Sequence, residues 1–143
     1  MLMGEYQNSI DAKGRIIVPS KFREELGYKC VLTKGLDQCL YIYPMSQWVK
    51  LQEKLAALPL SDPKARSFVR YFYANAVESE VDKQGRLTIP SGLRAYAEIE
   101  KELVTIGLLE RVEIWSRQVY ESAENGGNLE PGEFAAQMEL YKI

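Results

Sequence analysis

The sequence predicts a β-rich α+β fold built from two related, half-size units. Three observations support this prediction: a repeated segment of thirteen residues, short runs rich in β-branched residues beside each copy, and apolar stripes at helical spacing between and after the copies. Units below about 70 residues rarely bury an adequate core alone. We therefore expect the two units to share one core.

The repeat relates residues 11–23 to residues 82–94 without a gap. Six of the thirteen positions are identical: an Asp, a Gly, an Arg, a Pro, a Ser and a final Arg. A second similarity follows in the same order, where Gly35-Leu36 and Gly107-Leu108 precede further strand-like runs. Two similar segments in the same order indicate an internal duplication.

Each copy is predicted to form a strand, a tight turn and a second strand. The first strand leads into Asp11 or Asp82, and the turn follows directly. Gly14 and Gly85 can adopt the positive φ that such a turn requires and that other residues resist. The second strands are the β-rich runs 15–18 and 86–89.

A brief helix and two more strands are predicted after each turn. Pro19 and Pro90 end the short strands, and Ser20 and Ser91 are expected to be helix N-caps. Gly27 is expected to end the first brief helix. The further strands are predicted at 29–33, 40–43, 102–106 and 111–115.

Longer helices are predicted between and after the copies. An apolar stripe over 48–58 ends at Pro59, and Asp62-Pro63 then supplies an N-cap and a first-turn proline. The stripe over 65–76 is aromatic and is interpreted as core or subunit interface. The C-terminal expectations are a cap at Ser116, a break at Gly126-Gly127 and one or two amphipathic helical turns within 131–140.

The composition argues against a membrane, metal or cofactor protein. No apolar run approaches the ~18 residues of a membrane span, and no signal peptide is visible, so we expect a cytoplasmic protein. Cys30 and Cys39 fit no zinc spacing, and the sequence has no histidine. We interpret these cysteines as small buried hydrophobes, with a bridge across a hairpin as the alternative.

Charge is distributed unevenly along the chain. The net charge is −2, which by itself argues mildly against a nucleic-acid partner. Residues 98–143, however, hold ten Glu and four basic residues, whereas residues 1–97 hold fourteen basic and ten acidic residues, a net +4. A moderately basic body is compatible with a localised anion-binding face.

The two acidic residues of the repeat offer one enzymatic interpretation. A pseudo-two-fold axis could bring Asp11 and Asp82 together as a carboxylate dyad that shares a proton. Such a dyad normally lies in an Asp-Thr/Ser-Gly loop, whereas this sequence has Asp-x-x-Gly-Arg. Arg15 and Arg86 are better interpreted as ion-pair partners that lower the carboxylate pKa. We therefore predict that the protein is not an enzyme.

The basic residues of the turns are the candidate DNA-binding residues: Lys13, Arg15, Lys83 and Arg86. A turn tip can enter a groove, where arginine grips phosphate or a guanine edge through two hydrogen bonds. The alternative is that each Asp–Arg pair merely pins its hairpin. We favour pinning as the role of the aspartates and DNA contact as the role of the arginines. A third basic group, Lys64, Arg66 and Arg70, is interpreted as a solvated helix face.

The chain resembles the MraZ family, whose members carry two AbrB/SpoVT-type swapped-hairpin modules. The resemblance covers nearly the whole chain and rests on segments 3–6, 11–15, 35–40, 82–86 and 113–116, together with Val18-Pro19. It implies two tandem modules interleaved in one pseudo-symmetric, β-barrel-like domain, with helices between and after them. We assign the first module to 1–60, a linking helix to 61–76, the second module to 77–120 and a helical tail to 121–143.

The resemblance also implies a function and an assembly. A ring-shaped homo-oligomer in the nucleoid would bind double-stranded DNA at direct repeats in its own promoter and repress the division and cell-wall gene cluster. Such a ring would present successive turns to successive DNA repeats. We expect the central and terminal helices to build the ring interface. A protein–protein adaptor or antitoxin-like module of the same fold is the alternative.

The two turns differ in one respect. The first has Lys13 beside its glycine, whereas the second has Gln84 there and places its lysine one position earlier, at Lys83. The turns are therefore not expected to be equivalent. Our hypothesis is that the first turn carries more of the base readout.

Overall fold

The computed structural model describes residues 1–122 and 129–143. The strands are β1 (Leu2–Ser9), β2 (Arg15–Ile17), β3 (Lys29–Lys34), β4 (Leu40–Pro44), β5 (Val77–Glu80), β6 (Arg86–Thr88), β7 (Glu102–Leu109) and β8 (Val112–Ser116). The helices are α1 (Ser20–Leu26), α2 (Met45–Ala56), α3 (Pro63–Ala74), α4 (Ser91–Tyr96), α5 (Arg117–Glu121) and α6 (Pro131–Tyr141). The mixed α+β class is confirmed. The predicted break at Gly126-Gly127 lies outside the described residues.

Strand pairing joins the two halves of the chain. The larger sheet is antiparallel, with the order β1-β7-β8-β4-β3-β5. The first strand of each repeat therefore pairs with a strand of the other repeat, because β1 lies beside β7 and β5 lies beside β3. The order runs from one edge strand to the other. Within the described residues no strand pairing closes it into the barrel-like shape that the resemblance implies.

The two short strands, β2 and β6, form a separate antiparallel ribbon, again with one strand from each repeat. This ribbon packs with α1 and α4 on one face of the larger sheet, through a core that includes Ile16, Phe22, Ile42, Leu87 and Leu93. Helices α2 and α3 pack on the opposite face, through a core that includes Tyr43, Trp48, Phe72 and Trp115. The alternation of side chains along the strands thus separates a ribbon face from a helix face.

Local signals at the helix ends were partly correct. The Asp62 side chain accepts a hydrogen bond from the Lys64 N–H at 3.0 Å, and Ser116 accepts one from the Val119 N–H at 3.4 Å, which confirms both predicted caps. Gly27 ends α1 with φ +68°, as predicted. The one or two helical turns predicted within 131–140 are part of a longer helix, α6, none of whose residues is buried.

The predicted N-caps Ser20 and Ser91 are wrong. The cap positions are Pro19 and Pro90, and neither serine makes a capping hydrogen bond. Proline is tolerated at a helix start, because the N–H that it lacks would have no hydrogen-bond partner there in any case. The helices therefore begin one residue earlier than the serine signal indicated.

Both cysteines are buried and free, which confirms their interpretation as small hydrophobes. Cys30 lies opposite Pro44 at one end of the β3–β4 hairpin, whereas Cys39 precedes β4 at the other end. A bridge across this hairpin is therefore wrong. Burial raises the pKa of the Cys30 thiol to about 11.

Candidate nucleic-acid interface

The β2–β6 ribbon brings the two repeat arginines onto one surface. Ile16 and Leu87 lie opposite each other and are almost completely buried, so they form the inner face of the ribbon. Because side chains alternate along a strand, Arg15 and Arg86 both lie on the outer face. Arg86 lies opposite Ile17, so the arginines are two residues, or about 7 Å, apart along the ribbon.

The first turn is held by the carboxylate of Asp11. Its Oδ1 atom accepts hydrogen bonds from the N–H groups of Lys13 and Arg15, both at 2.9 Å. Its Oδ2 atom accepts one from Nε of Arg15 at 2.8 Å. Gly14 completes the turn with φ +77° and donates its N–H to the Asp11 carbonyl. One side chain therefore shapes the turn and fixes its arginine.

The second turn repeats this arrangement. Oδ1 of Asp82 accepts from the N–H groups of Gln84 and Arg86 at 2.9 and 2.8 Å. Oδ2 accepts from Nε of Arg86 at 2.7 Å. Gly85 has the same φ of +77°. The duplication has thus retained a complete hydrogen-bond pattern as well as the residue types.

These contacts keep both carboxylates ionised. The backbone N–H of Arg15 lowers the pKa of Asp11, and the side chain of Arg15 and the N–H of Lys13 act in the same direction. The N–H and side chain of Arg86 similarly lower the pKa of Asp82. A dyad that shares a proton requires one raised pKa, so this arrangement does not resemble an acid–base pair.

Each arginine retains donors for a ligand. The aspartate engages only Nε, and within residues 1–122 and 129–143 the Nη atoms of Arg15 and Arg86 have no hydrogen-bond partner. The side chains of Lys13 and Lys83 are exposed and make no ion pair with any described residue. The outer face of the ribbon and the two exposed turns beside it therefore offer four cationic groups, two of which are oriented by carboxylates.

The comparisons with known proteins agree with this duplication. The model of the family described as "MraZ protein, putative antitoxin-like" matches residues 1–71 and 72–131. The chain belongs to the MraZ family. Each matched segment contains one Asp-x-x-Gly-Arg turn, so the two copies of the MraZ model correspond to the two halves of the β2–β6 ribbon.

Full-length MraZ relatives are similar to this chain. Three proteins named "Transcriptional regulator MraZ" come from Caldanaerobacter subterraneus subsp. tengcongensis, Halothermothrix orenii and Clostridium tetani. They are 52%, 52% and 53% identical to the chain. The alignments cover 100%, 97% and 96% of this chain and the same shares of the relatives.

Sequence reasoning missed a second pair of arginines. Arg23 and Arg94 are the last identical position of the repeat, and each lies over the turn glycine of the other repeat. A Cβ on Gly85 would collide with the guanidinium of Arg23, whose Nε donates to the Val18 carbonyl at 2.9 Å. Their identity in both copies was the available signal. Both arginines lie in the short helices α1 and α4, and each packs against the turn of the opposite repeat.

Proposed function

We propose that this protein is a sequence-specific DNA-binding transcriptional regulator that reads DNA with the outer face of the β2–β6 ribbon. The observation that carries the proposal is the pair of Asp-anchored arginines on one face of that ribbon. A two-stranded ribbon fits the major groove of B-DNA, which is about 12 Å wide. The name of the MraZ relatives, transcriptional regulator, supports the same function.

Each ribbon residue has a distinct proposed role. Asp11 and Asp82 hold Nε of their arginines, which leaves the Nη groups of Arg15 and Arg86 to bind a guanine edge or a phosphate. The flexible side chains of Lys13 and Lys83 bind phosphate and contribute affinity without base readout. The aspartates repel phosphate, so their contribution is orientation.

We further propose that the protein acts as an assembly. The cross-paired strands support two interleaved, AbrB-type swapped-hairpin modules, with bounds of 1–60 and 77–120 joined by a helix over 61–76 and followed by a tail over 121–143. A ring of copies would bind successive direct repeats in the promoter of its own division and cell-wall gene cluster and repress it. A regulator of this kind would act in the cytoplasm, at the nucleoid. No helix among the described residues could span a bilayer.

The test is the affinity of the full chain for the DNA upstream of its own gene, measured by fluorescence anisotropy at several salt concentrations. The logarithm of the affinity should fall linearly with the logarithm of the salt concentration. The double variant Arg15→Ala/Arg86→Ala should lose specific binding and reduce the salt slope by about one for each phosphate contact removed. Arg117→Ala is the matched control, because Arg117 lies outside the ribbon, paired with Glu102 and Glu121.

The same titrations distinguish DNA binding from the adaptor alternative, and a separate activity assay tests the enzyme alternative. A protein–protein adaptor or antitoxin-like module would show no salt-dependent preference for the promoter fragment, and undiminished binding by the double variant would contradict the DNA proposal. An enzyme that uses a carboxylate dyad would require Asp11→Asn to abolish a turnover while assembly stays intact.

A further inference from the structure

Two tyrosines connect α3 to α4 beside the turn between β3 and β4. The hydroxyl groups of Tyr71 on α3 and Tyr96 on α4 lie 3.0 Å apart. The Tyr71 hydroxyl donates to the carbonyl of Gly35 at 2.6 Å, and the Tyr96 hydroxyl donates to the carbonyl of Asp37 at 3.2 Å. Gln38 donates a side-chain N–H to the carbonyl of Tyr96. The C-terminal end of α4 is therefore fixed both to α3 and to the β3–β4 turn.

The contact between these hydroxyls joins the two cores of the protein. Tyr71 packs against the core on the helix face of the larger sheet, whereas Tyr96 packs against the core on the ribbon face. Both side chains are half-buried. Burial raises the pKa of Tyr71, so its hydroxyl keeps its proton and remains a hydrogen-bond donor near neutral pH. The position of α4 thus depends on that of α3.

Arg94, on α4, depends on this helix for its own position. It lies two residues before Tyr96, and its Nε atom would lie 3.2 Å from a Cβ on Gly14. The side chain of Arg94 makes no hydrogen bond or ion pair with any described residue, and its Nε atom is buried without a partner. Because no polar contact holds this guanidinium, the placement of α4 determines how it covers Gly14.

The second turn is supported in a different way. Arg23 covers Gly85, and its Nε atom donates to the carbonyl of Val18 at 2.9 Å. The repeat has Glu25 at the position that corresponds to Tyr96, so α1 lacks this tyrosine contact. A hydrogen bond of the arginine itself therefore fixes the cover of the second turn, whereas the cover of the first turn relies on its helix.

We propose that Tyr71 and Tyr96 are positioning residues for the first DNA-binding turn. They hold α4 in place, and α4 in turn places Arg94 over Gly14. This inference rests on the proposed function, because the first turn presents Arg15 to DNA. A displacement of α3 is transmitted to the first turn but not to the second.

Amide hydrogen exchange of the full chain, resolved to single residues by mass spectrometry, tests the proposal without DNA. The N–H of Ile89 donates to the carbonyl of Gly14, and the N–H of Val18 donates to the carbonyl of Gly85, so each amide reports on one turn. Tyr71→Phe removes only a hydroxyl group. It should make Ile89 exchange several-fold faster, the effect expected from the loss of one hydrogen bond, and leave Val18 unchanged.

The matched control is Tyr73→Phe, which removes a hydroxyl from the same helix. The Tyr73 hydroxyl makes no hydrogen bond with any residue in 1–122 or 129–143, so neither exchange rate should change. Tyr96→Phe should reproduce the effect of Tyr71→Phe, because it removes the other half of the contact. The proposal is overturned if Tyr71→Phe leaves Ile89 at the wild-type rate. It is also overturned if Ile89 and Val18 accelerate equally, since that would show a general loss of stability.

A variant of Arg94 tests the route by which the tyrosines act. In an Arg94→Ala background, Tyr71→Phe should add nothing to the exchange rate of Ile89, because the side chain that covers Gly14 is already absent. A further acceleration in the double variant would overturn transmission through Arg94.

Promoter binding separates this inference from the DNA proposal. Tyr71→Phe should weaken binding about two- to ten-fold in an Arg86→Ala background, which leaves the first turn intact. It should have little effect in an Arg15→Ala background, where that turn has lost its arginine. Equal effects in both backgrounds would overturn the positioning role. If the wild type does not bind the promoter, the proposed function fails, whereas the exchange rates still decide whether the tyrosines hold the turn.

Discussion

Arg94 covers Gly14 so closely that a Cβ on the glycine would lie 3.0 Å from Cζ of the arginine, and the two residues belong to different repeats. The carbonyl of Gly14 also accepts a hydrogen bond at 2.8 Å from the N–H of Ile89, again in the other repeat. Each turn is therefore supported by the opposite half of the chain. This mutual support makes the ribbon and both turns one unit.

The first prediction concerns Gly85, where alanine should lower the free energy of unfolding by about 2 kcal/mol. The residue has φ +77°, which a side chain disfavours, and a Cβ would displace the guanidinium of Arg23. Gly14→Ala should cost less, because its φ is the same but Arg94 leaves more room. Denaturant unfolding of the variants measures both effects.

The matched control for this prediction is Gly92→Ala. Gly92 lies in α4, and a Cβ there would meet nothing within 4 Å. Alanine should therefore be neutral or stabilise the protein by up to about 1 kcal/mol, since it is the better helix former. Equal destabilisation at Gly85 and Gly92 would show that the turn conformation is not the cause.

The second prediction is that Asp82→Asn weakens promoter binding several-fold, although it makes the protein more positive. The substitution removes the carboxylate oxygen that accepts from Nε of Arg86 at 2.7 Å, so the arginine loses its orientation. Anisotropy titrations measure the change. Glu24→Gln, on the exposed surface of α1, removes the same charge elsewhere and should bind DNA at least as tightly as the wild type. Tighter binding by both variants would favour net charge over positioning.

The third prediction is that promoter binding stays constant between about pH 5.5 and about pH 8. The sequence has no histidine, and hydrogen bonds from Arg15 and Arg86 lower the pKa values of Asp11 and Asp82. Because the pKa of each carboxylate is lowered, its ion pair is fully present above the ordinary carboxyl pKa and is lost only as the pH falls through the lowered pKa. Binding should therefore weaken only in more acidic solution, and a titration step near neutral pH would contradict this interpretation of the turns.

The fourth prediction is that Arg15→Ala reduces discrimination between promoter and random DNA more than Arg86→Ala does. The aspartate contacts of the two arginines are alike, so the difference must come from the neighbouring side chains. Lys13 stands beside Gly14, whereas Gln84 stands beside Gly85. Competition titrations with both DNAs measure the ratio, and equal losses would indicate equivalent turns.

The fifth prediction is that the Cys30 thiol reacts with an aromatic disulfide reagent only after unfolding. Burial excludes the reagent and raises the thiol pKa from 9.0 to about 11. The unfolded chain releases this proton at lower pH than the folded chain. The free energy of unfolding should therefore fall as the pH rises from about 9 to about 11. Absorbance of the released thiolate measures the reaction, and rapid labelling of the folded protein would contradict the burial.

Sequence reasoning placed the candidate DNA-binding residues beside the two turns but did not bring the turns together. Asp11 and Arg15 are four residues apart, so their contact follows from local geometry. The pairing of Arg86 opposite Ile17 joins residues 69 positions apart, which no local pattern specifies. The overlying Arg23 and Arg94 were missed for the same reason.

Local spacing in the chain was sufficient to establish the duplication, the glycine-dependent turns and most helix ends, because neighbouring residues and backbone preferences control these features. Only the three-dimensional fold determines which strands pair. It thereby places both arginines on one ribbon and packs α2 and α3 on the opposite side of the larger sheet. The physical reason is that an alternating pattern of apolar residues determines which face of a strand is buried, but not which element covers that face.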